Sequence, residues 1–165
     1  MSVENIKRLA GPFIGDGSGQ KVFTFGFLIF DEGDVSVSVA EEENALPRSL
    51  TLGEDFSVQM NDDQAATPGG TITLLADGLA KGAVLAIGSS VPYTQTLTLT
   101  NYTRFPPERI TKELDRIVVQ IQQLKNESDR ALKTDETDTQ TAAELKEKLL
   151  KAAESAFVVA SQNAE

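Results

Sequence analysis

The residue types that carry most enzyme chemistry are missing from this sequence, which has no Cys and no His. Disulfides, thiolate nucleophiles, His–metal sites and His general bases are excluded together. Neither a Ser–His–Asp nor a Cys–His arrangement can be built. What remains is glycine and carboxylate chemistry. "GDGSGQK" (residues 15–21) invites a phosphate-loop reading. A phosphate loop needs Gly-Lys-Ser/Thr running directly into a helix. Here Gln20 separates Gly19 from Lys21, and Val22 opens a strand, so the segment reads as a turn. "DEGD" (31–34) and "NDD" (61–63) could attract calcium, but neither has the twelve-residue loop with a terminal Glu. They read as acidic turns suited to αL and Asx geometry. Glycoside hydrolysis needs two acids poised across a cleft, whereas the acids here crowd the turns. No catalytic residue, cofactor or metal ligand is assigned. "VPYT" (91–94) sets Tyr93 after a Pro at a strand entrance, as edge packing or as an aromatic contact to a partner.

The elements that would position any site fall into two kinds. The 165 residues suit one compact domain with an appendage, or two small modules. With 40 % hydrophobic residues there is enough for a core of ordinary size. The apolar stretches are too short to span a bilayer, and Met1–Leu9 lacks the long apolar region of a signal peptide. A soluble product of the cytoplasm is expected, with no membrane partner. The net charge is −10, and residues 1–105 hold 13 acids against 6 bases. Phosphate-backbone binding needs clustered Lys and Arg, so no nucleic-acid partner is expected.

Up to residue 105 the pattern is short strands and turns. "GDGSG" is a turn. In "QKVFTFGFLIF" (20–30), Phe23, Phe25, Phe27 and Ile29 share one face by period two. The other face is nearly as apolar, which predicts a central strand covered on both sides. "DEGD" then turns into "VSVSV" (35–39), with Val in and Ser out, and the two runs predict a hairpin. "RSLTL" and "EDFSVQM" predict a second pair around Gly53. "TITLL", "AVLAIGSSV" and "YTQTLTLT" predict three more strands. Such spacing indicates a mainly β domain, a small antiparallel sandwich or barrel-like fold, followed by C-terminal helices.

At Pro106–Pro107 the period changes. Pro107 suits a first helical position, and Glu108 favours the positive end of the helix dipole. The helix is expected to reach Lys133, about 40 Å at 1.5 Å per residue. "TAAE" (141–144) is a capping-box pattern that starts a second, Ala-rich helix. In the first helix Ile110, Leu114, Ile117, Ile121 and Leu124 alternate spacings of four and three. In heptad terms Leu114 and Ile121 are a positions; Ile110, Ile117 and Leu124 are d, and Val118 widens the face. β-Branched residues at d favour three or four strands over two. One reading packs this seam on the chain's own β domain or second helix. The other packs it on copies of itself, because a helix of this length overhangs a domain whose radius of gyration is about 13 Å.

In this order the pieces resemble the N-terminal virion-binding (tail-attachment) region of podovirus-type bacteriophage tail fibre and tailspike proteins. The pieces are "GDGSGQKVFTFGFLIFDEGDVSVSV", "LTLGEDFSV", and the run from "GGTITLL" to "FPPERITKELDRIVVQIQQLKNESDRALK". The helix carries the family's Leu-Asp-Arg, Ile-Gln-Gln-Leu and Asp-Arg-Ala-Leu at 114–116, 121–124 and 129–132. The likeness covers roughly residues 12–133. It implies a homotrimer, made in the host cytoplasm and carried in the virion tail. Its β domains would dock on phage tail or portal-side proteins, and its helix would pass the trimer axis to a distal fibre or spike. The family's long β-helix or receptor-binding region does not follow within these 165 residues.

The expected organisation is an N-terminal leader or arm (1–19), a β domain for virion docking (20–105), an oligomerising helix (106–133), and a linker with a C-terminal Ala-rich helix (134–165). The seam residues Ile110, Leu114, Ile117, Ile121 and Leu124 would hold the oligomer. Phe13, Ile14, Tyr93 and Tyr102 are the candidate docking contacts. The expected function is a non-enzymatic trimeric anchor or adaptor in the virion. The alternative is a free-standing oligomeric binding module or assembly chaperone that the virion does not retain, and a carbohydrate-active enzyme ranks last.

Overall fold

The computed structural model describes residues 7–42, 45–98, 107–131, 141, 143–144 and 146–153. It divides into two compact units, Met1–Glu127 and Ser128–Glu165. Among the described residues the first unit holds seven strands: β1 (Leu9–Ile14), β2 (Val22–Phe25), β3 (Val35–Ala40), β4 (Arg48–Ser49), β5 (Phe56–Met60), β6 (Gly70–Leu74) and β7 (Val84–Ser89). A 24-residue helix, α1 (Pro107–Arg130), begins in this unit. One antiparallel sheet has the order β1-β7-β3-β4 and the other β2-β6-β5.

Alternation along the strands builds the core. Phe23 and Phe25 of β2, Phe56 and Val58 of β5, and Ile72 and Leu74 of β6 are buried with Val35 and Val37 of β3 and Leu85 and Ile87 of β7. Both sheets therefore feed one core, which is the sandwich arrangement the spacing predicts. The face Phe23, Phe25, Phe27, Ile29 is buried throughout.

The pairing of strands differs from the expected hairpins. β2 lies at the edge of the three-stranded sheet, and β3 lies in the other sheet between β7 and β4. The reason is the turn between them. Asp34 Oδ2 accepts the N–H groups of Phe30 (3.0 Å) and Asp31 (3.1 Å), and Asp31 Oδ1 accepts from Gly33 (3.0 Å). This capped 3-10 turn (Glu32–Asp34) carries the chain from one sheet to the other instead of folding it back on itself. "RSLTL" and "EDFSVQM" likewise divide between the sheets, β4 pairing with β3 and β5 with β6. The turn around Gly53 is real, with φ +84° at the glycine. Gly69 (φ +102°) stands just before β6, where a Cβ would run into the Phe25 carbonyl, so only glycine fits there.

Part of the segment read as a leader is structural. β1 pairs with β7, with a register shift between Ala10 and Phe13 around Gly11–Pro12. Just before it, Arg8 is buried at 2 % exposure. Its Nη2 donates to the Leu28 carbonyl (2.6 Å) and to Ser89 Oγ (3.2 Å), and its guanidinium lies 5.2 Å from the Phe27 ring centre. Burial lowers its pKa to about 10, opposed by the nearby Asp34 carboxylate, so it keeps its charge at neutral pH.

In the second unit residues 143–144 and 146–153 are helical. Thr141 and Glu144 form the expected capping box: Glu144 Oε2 accepts from the Thr141 N–H (2.8 Å), and Thr141 Oγ1 accepts from the Glu144 N–H (3.4 Å). No helix among the described residues is long and apolar enough to cross a membrane.

Candidate functional site

Helix α1 has two faces, and the polar one is docked. Gln123 is 6 % exposed. Its Oε1 accepts from the Val91 N–H (2.9 Å) and Ser89 Oγ (3.0 Å), and its Nε2 donates to the Val91 carbonyl (3.4 Å). One carboxamide thus satisfies both backbone groups of a buried valine. One turn earlier, Gln120 Nε2 donates to the Pro92 carbonyl (2.7 Å) and to that of Thr94 (3.4 Å). Two turns further back, Glu113 takes the Thr96 N–H on Oε1 (3.1 Å) and the Thr96 hydroxyl on Oε2 (2.8 Å). Those two bonds, with Arg116 nearby, hold the Glu113 carboxyl below its ordinary pKa.

These contacts follow a rule. Val91 meets Gln123, Pro92 and Thr94 meet Gln120, and Thr96 meets Glu113, so the chain after β7 runs antiparallel along the helix. The expected strand "YTQTLTLT" does not form over its described residues 93–98. Its backbone is tied instead to helix side chains, at Thr94 and Thr96, rather than to a neighbouring strand. The remaining residues of that strand lie outside the described ones.

Beneath the polar contacts sits a small apolar cluster of Leu28, Val91 and Val119, with Phe30 packed against it. This explains the apolar character of both faces of "FGFLIF". Phe27 and Ile29 enter the sandwich core, while Leu28 and Phe30 turn toward the helix. Arg116 lies over the Phe30 ring, 5.7 Å from its centre.

The seam lies on the other side. Leu114, Ile117, Val118, Ile121 and Leu124 are all exposed, and Ile121 is 61 % so. Ile110 is half-buried. In heptad terms the docked residues are c (Arg116, Gln123), f (Val119) and g (Glu113, Gln120), and the exposed apolar residues are a, d and e. The helix does pack on its own β domain, but not through the seam.

The docking candidates scatter. Phe13 is half-buried, with its ring 5.3 Å from that of Phe23 at the edge of the core. Ile14 at the end of β1 is 66 % exposed and Tyr93 is 56 % exposed. Tyr102 lies outside the described residues. Sequence reading missed Arg8, Glu113, Gln120 and Gln123. The available signal was the pair Val118–Val119, whose neighbouring residues cannot share a helix face.

The acidic turns use their carboxylates locally. Asp16 Oδ1 accepts from the Ser18 N–H (2.7 Å), and Asp63 Oδ1 accepts from Ala65 (2.8 Å) and Ala66 (3.1 Å). Gly17 and Gly19 take positive φ in the first of these turns. Compared with known proteins, the chain matches no protein-family model and no curated protein.

Proposed function

We propose that this chain is a bacteriophage virion structural protein: a homotrimeric tail fibre or tailspike anchor, joining a receptor-binding fibre or spike to the tail. The observation that carries the reading is the exposed a/d seam of α1, opposite a face already anchored to the β sandwich. Burying one Leu or Ile side chain stabilises by roughly 1.5–3 kcal/mol. Four exposed seam residues per chain are therefore a large driving force for association. Ile at two d positions favours three or four strands over two, and the sequence resemblance selects three. The coiled coil belongs to this assembly, and the sandwich is the part that docks on tail or portal-side proteins.

Light scattering tests the oligomer. The full chain is expected to run as a trimer at two concentrations, and Ile117→Asp/Ile121→Asp as a monomer. A full-length chain that is monomeric at both concentrations overturns the reading. Detection in purified virions then separates a virion component from an oligomeric module that acts only during assembly.

A further inference from the structure

We infer that a groove beside β4, at the surface of the β sandwich, docks a partner protein through an extended segment that carries bulky apolar residues between lysines or arginines. The inference does not depend on the helical seam or on the number of chains, because no residue of α1 lines the groove.

The groove holds about 640 Å³. That lies inside the range of roughly 300–1,000 Å³ found for ligand pockets. Its floor is Val39, Leu50, Leu74, Leu79 and Ala83. Leu74, Leu79 and Ala83 belong to the buried core, and Val39 and Leu50 pack against it. The floor is therefore the edge of the core itself. Leu46, which also lines the groove, is 95 % exposed.

The walls are fixed before any partner arrives. In the 76–83 segment the Leu79 N–H donates to the Gln20 carbonyl (2.8 Å) and the Ala83 N–H to the Ala80 carbonyl (3.1 Å). In the 41–55 segment the Ala45 N–H donates to the Glu42 carbonyl (3.1 Å), and Arg48 pairs with Asp55 (3.7 Å). A groove formed in advance loses little freedom when it is filled.

Charge selects the occupant. Among the described residues, Glu41, Glu42, Asp55 and Asp77 line the groove against one cation, Arg48, which Asp55 already meets. Lys81, next after the lining residue Ala80, lies against the Gly17 turn instead. The floor alone would accept any hydrophobic segment. The surplus of carboxylates around it repels an acidic one and favours a basic one. Glu41, Glu42 and Asp77 are exposed, so each ion pair is weak by itself. The floor supplies affinity and the rim supplies choice. The floor also has no polar side chain to orient a small ligand, whereas a peptide is oriented by its flanking charges.

The test uses the full-length chain and fluorescein-labelled octapeptides. Their two central residues are drawn from Leu, Ile, Val and Phe, and their flanks are Lys or Arg, Glu, or Ser. Anisotropy measures affinity, and amide NMR shifts locate the contact. The Lys- or Arg-flanked set is expected to bind at least about tenfold tighter than the Glu-flanked set, and less tightly as salt is raised. Shifts should centre on Leu50, Leu79 and Ala83. Glu41→Lys/Glu42→Lys/Asp77→Lys changes three exposed positions and should reverse the preference, a gain that misfolding cannot imitate. Equal binding of the three sets, no binding by any of them, or shifts centred elsewhere overturns the inference. Light scattering covers the remaining occupant. An oligomer that the wild-type chain forms and the rim variant loses would put a second copy in the groove, and overturns the assignment to a different protein.

Discussion

Ile117 and Val119 are two positions apart in one helix and live in opposite environments: Val119 is fully buried, at 0 % exposure, and Ile117 is 42 % exposed. At roughly 100° per residue the two side chains leave the helix on nearly opposite sides. The buried side meets Leu28 and Val91 of the same chain, and the exposed side is the seam. The contacts that hold the helix to its own domain thus leave the opposite, apolar face uncovered in this chain.

The seam is thus separable from the fold. Ile117→Asp/Ile121→Asp should abolish association, because a buried unpaired charge costs several kcal/mol. It should leave the β-sheet circular-dichroism signal intact, since neither side chain belongs to a buried cluster. Loss of that signal would mean that the seam residues also support the sandwich. This variant is a cleaner probe than deleting the helix, which would strip Val119 and Gln123 from the domain.

Gln123→Ala should destabilise the domain by about 1–3 kcal/mol, the cost of leaving buried polar groups unpaired. It orphans the Val91 N–H and the Ser89 hydroxyl bond together. Urea unfolding measures it, and a change under about 0.3 kcal/mol would show that water replaces the carboxamide.

Glu113 makes helix anchoring sensitive to acid. Its folded pKa lies below the ordinary value of 4.5 because Thr96 donates twice to the carboxylate. The folded state therefore binds fewer protons than the unfolded state as pH falls through this range. The stabilisation is complete above that ordinary value, shrinks as pH falls below it, and is gone below the folded pKa. The melting-temperature gap between wild type and Glu113→Gln should narrow as pH is lowered from above the ordinary Glu value to below the folded one. A gap that stays constant with pH would assign Glu113 no such role.

Arg8→Met should cost about 1–3 kcal/mol, since the Leu28 carbonyl loses its 2.6 Å donor in a buried place. Because β1 starts at the next residue, hydrogen exchange should rise first at the Leu9–Gly88 end of the β1–β7 ladder. Exchange that rises equally in all strands would place Arg8 in the global core instead.

Much of the β layout was legible because period two survives whatever a strand pairs with. Phe23, Phe25, Val35 and Val37 are buried as their alternation requires. Pairing was not legible. The signal for a local hairpin at "DEGD" is composition, whereas the outcome depends on whether Asp34 caps the turn or leaves it free to reverse. That Leu114, Ile117, Ile121 and Leu124 share one helix face was legible for the same reason as the strands. The docked face of α1 was not, because Gln120 and Gln123 look like solvated residues until a backbone with unpaired groups lies beside them. "YTQTLTLT" failed with it: alternation describes an extended chain, and Thr94 and Thr96 are held by helix side chains instead of a ladder.

The antiparallel course of residues 91–96 along α1 also has a mechanical meaning. Gln123, Gln120 and Glu113 fasten the helix to the segment that follows β7, at successive points along the helix axis. That segment joins β7 at its Val91 end, beside Gln123, so a pull on the C-terminal end of the helix loads the Gln123 bonds first and the Gln120 and Glu113 bonds after them. Tension that arrives from the far end of the helix therefore falls first on the buried Gln123 carboxamide, which acts as the latch for the two attachments behind it.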